Sequence, residues 1–96
     1  MRRRDLTESV IRRDEICEGK SSYLYQLSVR ENKLTASYGI PLYSVSVSMT
    51  DPDGEYTEAS ATDAFADAGR ALVFYEKVVN YLATPIDLLY ILEDEG

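Results

Sequence analysis

The apolar residues of this chain change period part-way along, and that change limits the fold more than any single motif. Between residues 22 and 50 they fall on alternate positions; between 65 and 92 they recur every three or four. Alternation serves one face of a strand, and spacings of three and four serve one side of a helix. A chain of 96 residues that does both has room for one small core. The expectation is a single small domain over 1–96, with 1–8 as a loosely ordered N-terminus.

Tyr23, Tyr25, Leu27 and Val29 share one side of a strand, and Leu34, Ala36, Tyr38 and Ile40 repeat the pattern. With Glu31-Asn32 as a two-residue turn, Val29 faces Leu34, Leu27 faces Ala36, Tyr25 faces Tyr38 and Tyr23 faces Ile40. Gly39 and Pro41 predict a bend, after which Tyr43, Val45, Val47 and Met49 alternate with Ser44, Ser46 and Ser48. The serine row reads as a solvated face. Asp51-Pro52-Asp53-Gly54 predicts a tight turn, followed by a polar edge strand over 55–61 in which Tyr56 can face Met49. Residues 9–17 alternate poorly, because Arg12 and Asp14 share a face with Val10 and Ile16, so strand and short helix both stay open there.

Phe65, Ala68, Leu72, Tyr75, Val79 and Leu82 form the helical stripe, with Thr62 or Asp63 as the cap and Asp67 near the positive end of the helix dipole. Gly69 inside this helix predicts close packing against a neighbour. Thr84-Pro85-Ile86-Asp87 opens a second helix carrying Leu88, Leu89, Ile91 and Leu92. The predicted fold is α+β: an antiparallel β-meander of three to four strands with two C-terminal helices packed on one face.

Tyr23-Leu24, Tyr38-Gly39-Ile40, the Thr62-Asp63 helix start, Thr84-Pro85-Ile86-Asp87-Leu88 and Glu93-Asp94 together resemble a family of short uncharacterised bacterial proteins, a domain of unknown function. The resemblance spans 22–95. Its pattern includes a Tyr-Gly-Ile strand motif and a C-terminal Thr-Pro helix ending in acids. The family usually places Val before Thr-Pro, where this chain has Ala83. The resemblance implies a small bacterial cytoplasmic protein and carries no chemistry.

The chemical inventory is thin. With 0 His, serine and cysteine triads that use an imidazole base are excluded, and neither a GxGxxG nor a GxxxxGK[ST] phosphate loop occurs. Asp51, Asp53 and Glu55 beside Gly54 resemble a calcium loop but lack its distal bidentate Glu, so a plain turn explains them. The expectation is a protein that is not an enzyme, with no cofactor and no metal. The alternative is a small-ligand or metal-binding domain, or a minor enzyme, using an acidic cleft near the sheet–helix junction where Glu58, Asp63 and Asp67 could converge.

Charge is lopsided. Residues 1–48 carry 8 Lys/Arg against 6 Asp/Glu, and 49–96 carry 2 against 11, giving the net −7. Arg2, Arg3 and Arg4 could touch phosphate, but the acidic remainder repels nucleic acid. No run of about 18 apolar residues is present to span a membrane, and Asp5, Thr7 and Glu8 interrupt any signal-peptide pattern. The single Cys17 suits a reducing cytoplasm.

Tyr23, Tyr25, Tyr38 and Tyr43 are expected on the core face. Residues 71–75 are apolar almost all round, with Val73 and Phe74 off the expected stripe. Val73, Phe74, Tyr81 and Tyr90 are therefore the candidate interaction residues, and the predicted function is a non-enzymatic interaction or regulatory module, either self-associating as a homodimer or bound to another protein.

Overall fold

Period-two patterning resolves into strands β1 (Leu6–Glu18), β2 (Ser21–Asn32), β3 (Pro41–Thr50) and β4 (Tyr56–Phe65); the period of three and four becomes helices α1 (Ala68–Asn80) and α2 (Pro85–Glu95). The computed structural model describes residues 6–32 and 41–95. The strands form one antiparallel sheet in the order β1-β2-β3-β4. Both helices pack on one face, α1 across β2, β3 and β4, and α2 mainly over β4. The fold is α+β, as the two periods require. Because β1 begins at Leu6, the segment expected to be loose contributes its last residues to the sheet.

The register of β2 differs from the predicted hairpin. Tyr23 faces Met49, Tyr25 faces Val47, Leu27 faces Val45 and Val29 faces Tyr43, while the other edge of β2 is taken by β1. The Tyr43–Met49 run shares the alternation of the nearer run and brings two β-branched valines to the tyrosine strand, which fills the core better than Ala36 can. The predicted partners 34–40, and the bend at Gly39, lie outside the described residues. So does Tyr38; of the other expected core tyrosines, Tyr25 is fully buried, and Tyr23 and Tyr43 pack partly buried against the core.

Residues 9–17 are strand. The poor alternation has a physical source in a bulge between Val10 and Arg12, which leaves Ile11 unpaired and changes which face follows. Past the bulge, Arg12, Asp14 and Ile16 stand opposite Leu27, Tyr25 and Tyr23 on the helix-facing side. The two-residue link Gly19-Lys20 to β2 has Gly19 at φ +63, the sign a type II′ turn needs at its first central position. The Asp51-Pro52-Asp53-Gly54 turn forms as predicted. Gly54 N–H donates to the Asp51 carbonyl at 2.9 Å, and the Asp51 carboxylate accepts from the backbone N–H groups of Asp53 and Glu55, each at 2.9 Å.

Strand β4 runs four residues past the expected Ala61, to Phe65. Tyr56 faces Thr50 rather than Met49, which pairs with Thr57. Near its end the ladder jumps, so that Tyr43 faces Phe65 where a regular register would bring Asp63. Thr62 and Asp63 therefore belong to the sheet and cap nothing. The α1 cap is Asp67, whose Oδ2 accepts from the Arg70 N–H at 2.9 Å.

The sheet-facing side of α1 is Ala71, Phe74, Tyr75 and Val78, a stripe rotated from the predicted one; Ala68 is exposed. A helix apolar nearly all round over 71–75 can seat more than one side. Phe74 is chosen because its ring meets that of Phe65 at 5.1 Å between centroids. Helix α1 ends in a Schellman motif: Ala83 N–H donates to the Val78 carbonyl at 3.1 Å and Leu82 N–H to the Val79 carbonyl at 3.0 Å, with Leu82 at φ 53. Helix α2 starts with a reciprocal capping box, Asp87 N–H to Thr84 Oγ1 at 3.2 Å and Thr84 N–H to Asp87 Oδ2 at 3.1 Å.

Candidate interaction surface

Helix α2 carries two apolar stripes. Leu88, Ile91 and Leu92, spaced three and four, turn to the core. Ile86, Leu89 and Tyr90, with the same spacing, lie on the opposite side, at 67%, 53% and 65% exposure. Val73, at 66%, stands on the outer side of α1, and Tyr81, at 68%, at its C-terminal end. Of the four residues singled out from sequence, Val73, Tyr81 and Tyr90 thus lie on the open side of the helical layer. Phe74 does not: it is buried against Phe65 and belongs to the core. Ile86 and Leu89 were not singled out, although the doubled three-and-four spacing in 86–92 signals a helix with more apolar surface than one sheet can cover.

Acids accompany the α2 stripe in the sequence. Asp87 and Glu93 are exposed beside it, Asp94 and Glu95 follow in the sequence, and the last cation of the whole chain is Lys77. Every charged residue of α2 is therefore an acid, on a helix that also carries an exposed apolar stripe.

The alternative acidic cleft does not assemble. The Glu58 Oε1 accepts from the Tyr56 hydroxyl at 2.6 Å, which raises the Tyr56 phenol. Asp63 is gripped by the Arg30 guanidinium through Nε, at 2.9 Å, and Nη2, while its N–H donates to Ser44 Oγ at 2.8 Å. Asp67 caps α1. The three carboxylates serve three different partners. Among the described residues no three of His, Cys, Asp and Glu stand together as a metal site.

The face of the sheet away from the helices is polar. Gln26, Ser28, Ser44, Ser46, Ser60 and Thr62, with Val10 at one side, line a shallow depression of about 220 Å³. Ser44 and Ser46 of the expected serine row lie in it, whereas Ser48 lines a different cavity. A second cavity, of about 270 Å³, has Cys17, Leu24, Ser48 and Tyr56 in its lining. Cys17 is an exposed free thiol. Among the described residues no helix is long and apolar enough to cross a membrane.

Two buried phenols tie the helical layer to the sheet. The Tyr25 hydroxyl donates to the Ala83 carbonyl at 2.9 Å, tying β2 to the link between the helices. Burial, with Tyr23 and Asp87 nearby, pushes this phenol up to about 12. Tyr75 is likewise raised, by burial first and then by its bond to Asp14. Both groups stay protonated donors at neutral pH, so the helical layer sits on fixed hydrogen bonds.

Comparison with protein-family models, curated proteins and solved structures finds no match to this chain.

Proposed function

We propose that this chain is a non-enzymatic protein-interaction module that docks through the outer side of its helical layer. The observation that carries the reading is the exposed Ile86-Leu89-Tyr90 stripe, a helix face with anchors at the spacing used by helix-in-groove recognition. Tyr90, a rigid ring with a polar tip, suits the centre of such a contact. Val73 and Tyr81 extend apolar surface onto α1. Exposed aliphatic side chains in this arrangement add little to a lone subunit and lose water when covered.

A reducing compartment, the cytoplasm, is the proposed location, supported by the exposed thiol of the chain's single cysteine. The resemblance to short bacterial proteins supports a bacterial setting.

The test compares the protein with a variant carrying Ile86→Ser, Leu89→Ser and Tyr90→Ser, by light scattering and by affinity capture from an extract of the source cells. The expected result is an association that the wild type makes and the variant loses, with both equally folded by circular dichroism. A wild type that stays monomeric and retains nothing overturns the reading. The rival class, a small-ligand domain or minor enzyme, would instead show a saturable rise in melting temperature with a metal ion or nucleotide.

A further inference from the structure

Resting on that reading, we infer that the occupant of the α2 surface is a different protein, one that presents an apolar groove rimmed by Lys and Arg. The stripe of Ile86, Leu89 and Tyr90 defines what the floor of the groove must be. The charged residues of the same helix define the charge of its rim. Eleven residues of α2 hold four acids, Asp87, Glu93, Asp94 and Glu95, and no cation. Ordinary solubility needs acids somewhere on a surface; it does not need every charge on a helix with an exposed apolar stripe to have one sign. Such an arrangement steers a cationic partner toward the helix and repels an anionic one.

The same charges argue against a second copy of this chain at this surface. A two-fold contact is isologous, so a patch centred on α2 would face its own copy. The four acids of α2 would be doubled and α2 itself would supply no cation, a like-charge contact that disfavours association. Nor does the described sheet offer free arginines to a neighbouring copy. Arg12 pairs with Asp14 and Glu76, at 3.8 and 3.7 Å, Arg13 with Glu15 at 2.6 Å, and Arg30 with Asp63.

Three immobilised baits test the inference: the wild type, the Ser-substituted stripe variant above, and a charge variant with Glu93→Lys, Asp94→Lys and Glu95→Lys. Lysines in the last turn of α2 complement the helix dipole, so the charge variant keeps its fold. The inference expects a protein of basic surface to be retained by the wild type only. Its retention by either variant is expected to fall by about tenfold or more, and salt is expected to elute it from the wild type. If the stripe variant loses the partner and the charge variant keeps it, docking stands and the basic rim is overturned. If light scattering instead shows a wild-type particle of twice 10.8 kDa that the stripe variant abolishes, the second copy is the occupant and the inference fails while docking survives. If the stripe variant retains the partner, or the wild type retains none, both fall.

Discussion

The Tyr75 hydroxyl donates to Asp14 Oδ2 at 2.7 Å, joining the middle of α1 to the edge strand β1 across 61 positions of chain. The same hydroxyl reaches the Tyr25 carbonyl at 3.1 Å, and the Arg12 guanidinium lies over the Tyr75 ring at 5.4 Å from its centroid. Arg12 and Asp14 therefore face the core side for a reason: the outermost strand has to end the apolar layer with groups that suit a phenol. Tyr75→Phe should cost about 1–2 kcal/mol, since a hydrogen bond to a charged group is lost with little change of shape. A double-mutant cycle with Asp14→Ala, read by urea denaturation, should give a coupling of about 1 kcal/mol. Strict additivity would show that the contact does not hold α1 to the sheet.

Stability should fall in alkali, and Tyr25 should account for part of the fall. An unfolded tyrosine ionises near pH 10, whereas burial holds this one up to about 12. Over that interval the unfolded chain has released the proton and the folded chain keeps it. The folded state then binds more protons, so stability drops as pH rises; below pH 10 the contribution is fully present. Tyr25→Phe should lower neutral-pH stability by about 1–2 kcal/mol, because the buried Ala83 carbonyl loses its donor. It should also make the alkaline decline shallower. Urea midpoints across the range measure both, and an unchanged slope would place Tyr25 outside the alkaline transition.

Much of this architecture is legible in the residues. The Asp51–Gly54 turn and the Thr84–Asp87 capping box form as written, because each rests on a few neighbouring side chains and one backbone preference. Register is less local. Tyr25 can alternate equally well against Tyr38 or Val47, and the choice depends on which run fills the space under α1. The α1 stripe differs from the expected one for a similar reason. Residues 71–75 present apolar groups on all sides, so the side taken depends on Phe65, which itself sits beyond an irregular stretch of β4. Of the exposed apolar residues on the helical layer, Val73, Tyr81 and Tyr90 could be found from sequence. Phe74 could not be separated from them without knowing the sheet's position.

Asp63 is held in the left-handed region, at φ 54, inside that irregular stretch, and Arg30 grips its carboxylate with two nitrogens. Asp tolerates this backbone better than most residues. Asp63→Asn should keep the conformation and lose the charge, at about 1 kcal/mol. Asp63→Ala should cost about 1 kcal/mol more, since it adds backbone strain to the lost pair. Thermal denaturation of the two variants gives the comparison. Equal costs would mean that the ion pair alone, and not the backbone, selects Asp at this bend.

Gly69 offers the opposite case, a residue whose replacement should help. Its position inside the helical stripe suggested that a neighbouring element passes close by. Instead it lies exposed in the first turn of α1, and an added Cβ would meet only the Asp67 Oδ2, at 3.4 Å. That is ordinary van der Waals contact. Gly69 is also not one of the glycines with positive φ, which among the described residues are Gly19 and Gly54. Gly69→Ala should therefore stabilise the protein by about 0.5–1 kcal/mol, mainly by narrowing the unfolded ensemble. A melting temperature raised by a few degrees is the expected outcome. A fall would mean that the added methyl pushes the Asp67 carboxylate off the Arg70 N–H and so weakens the cap.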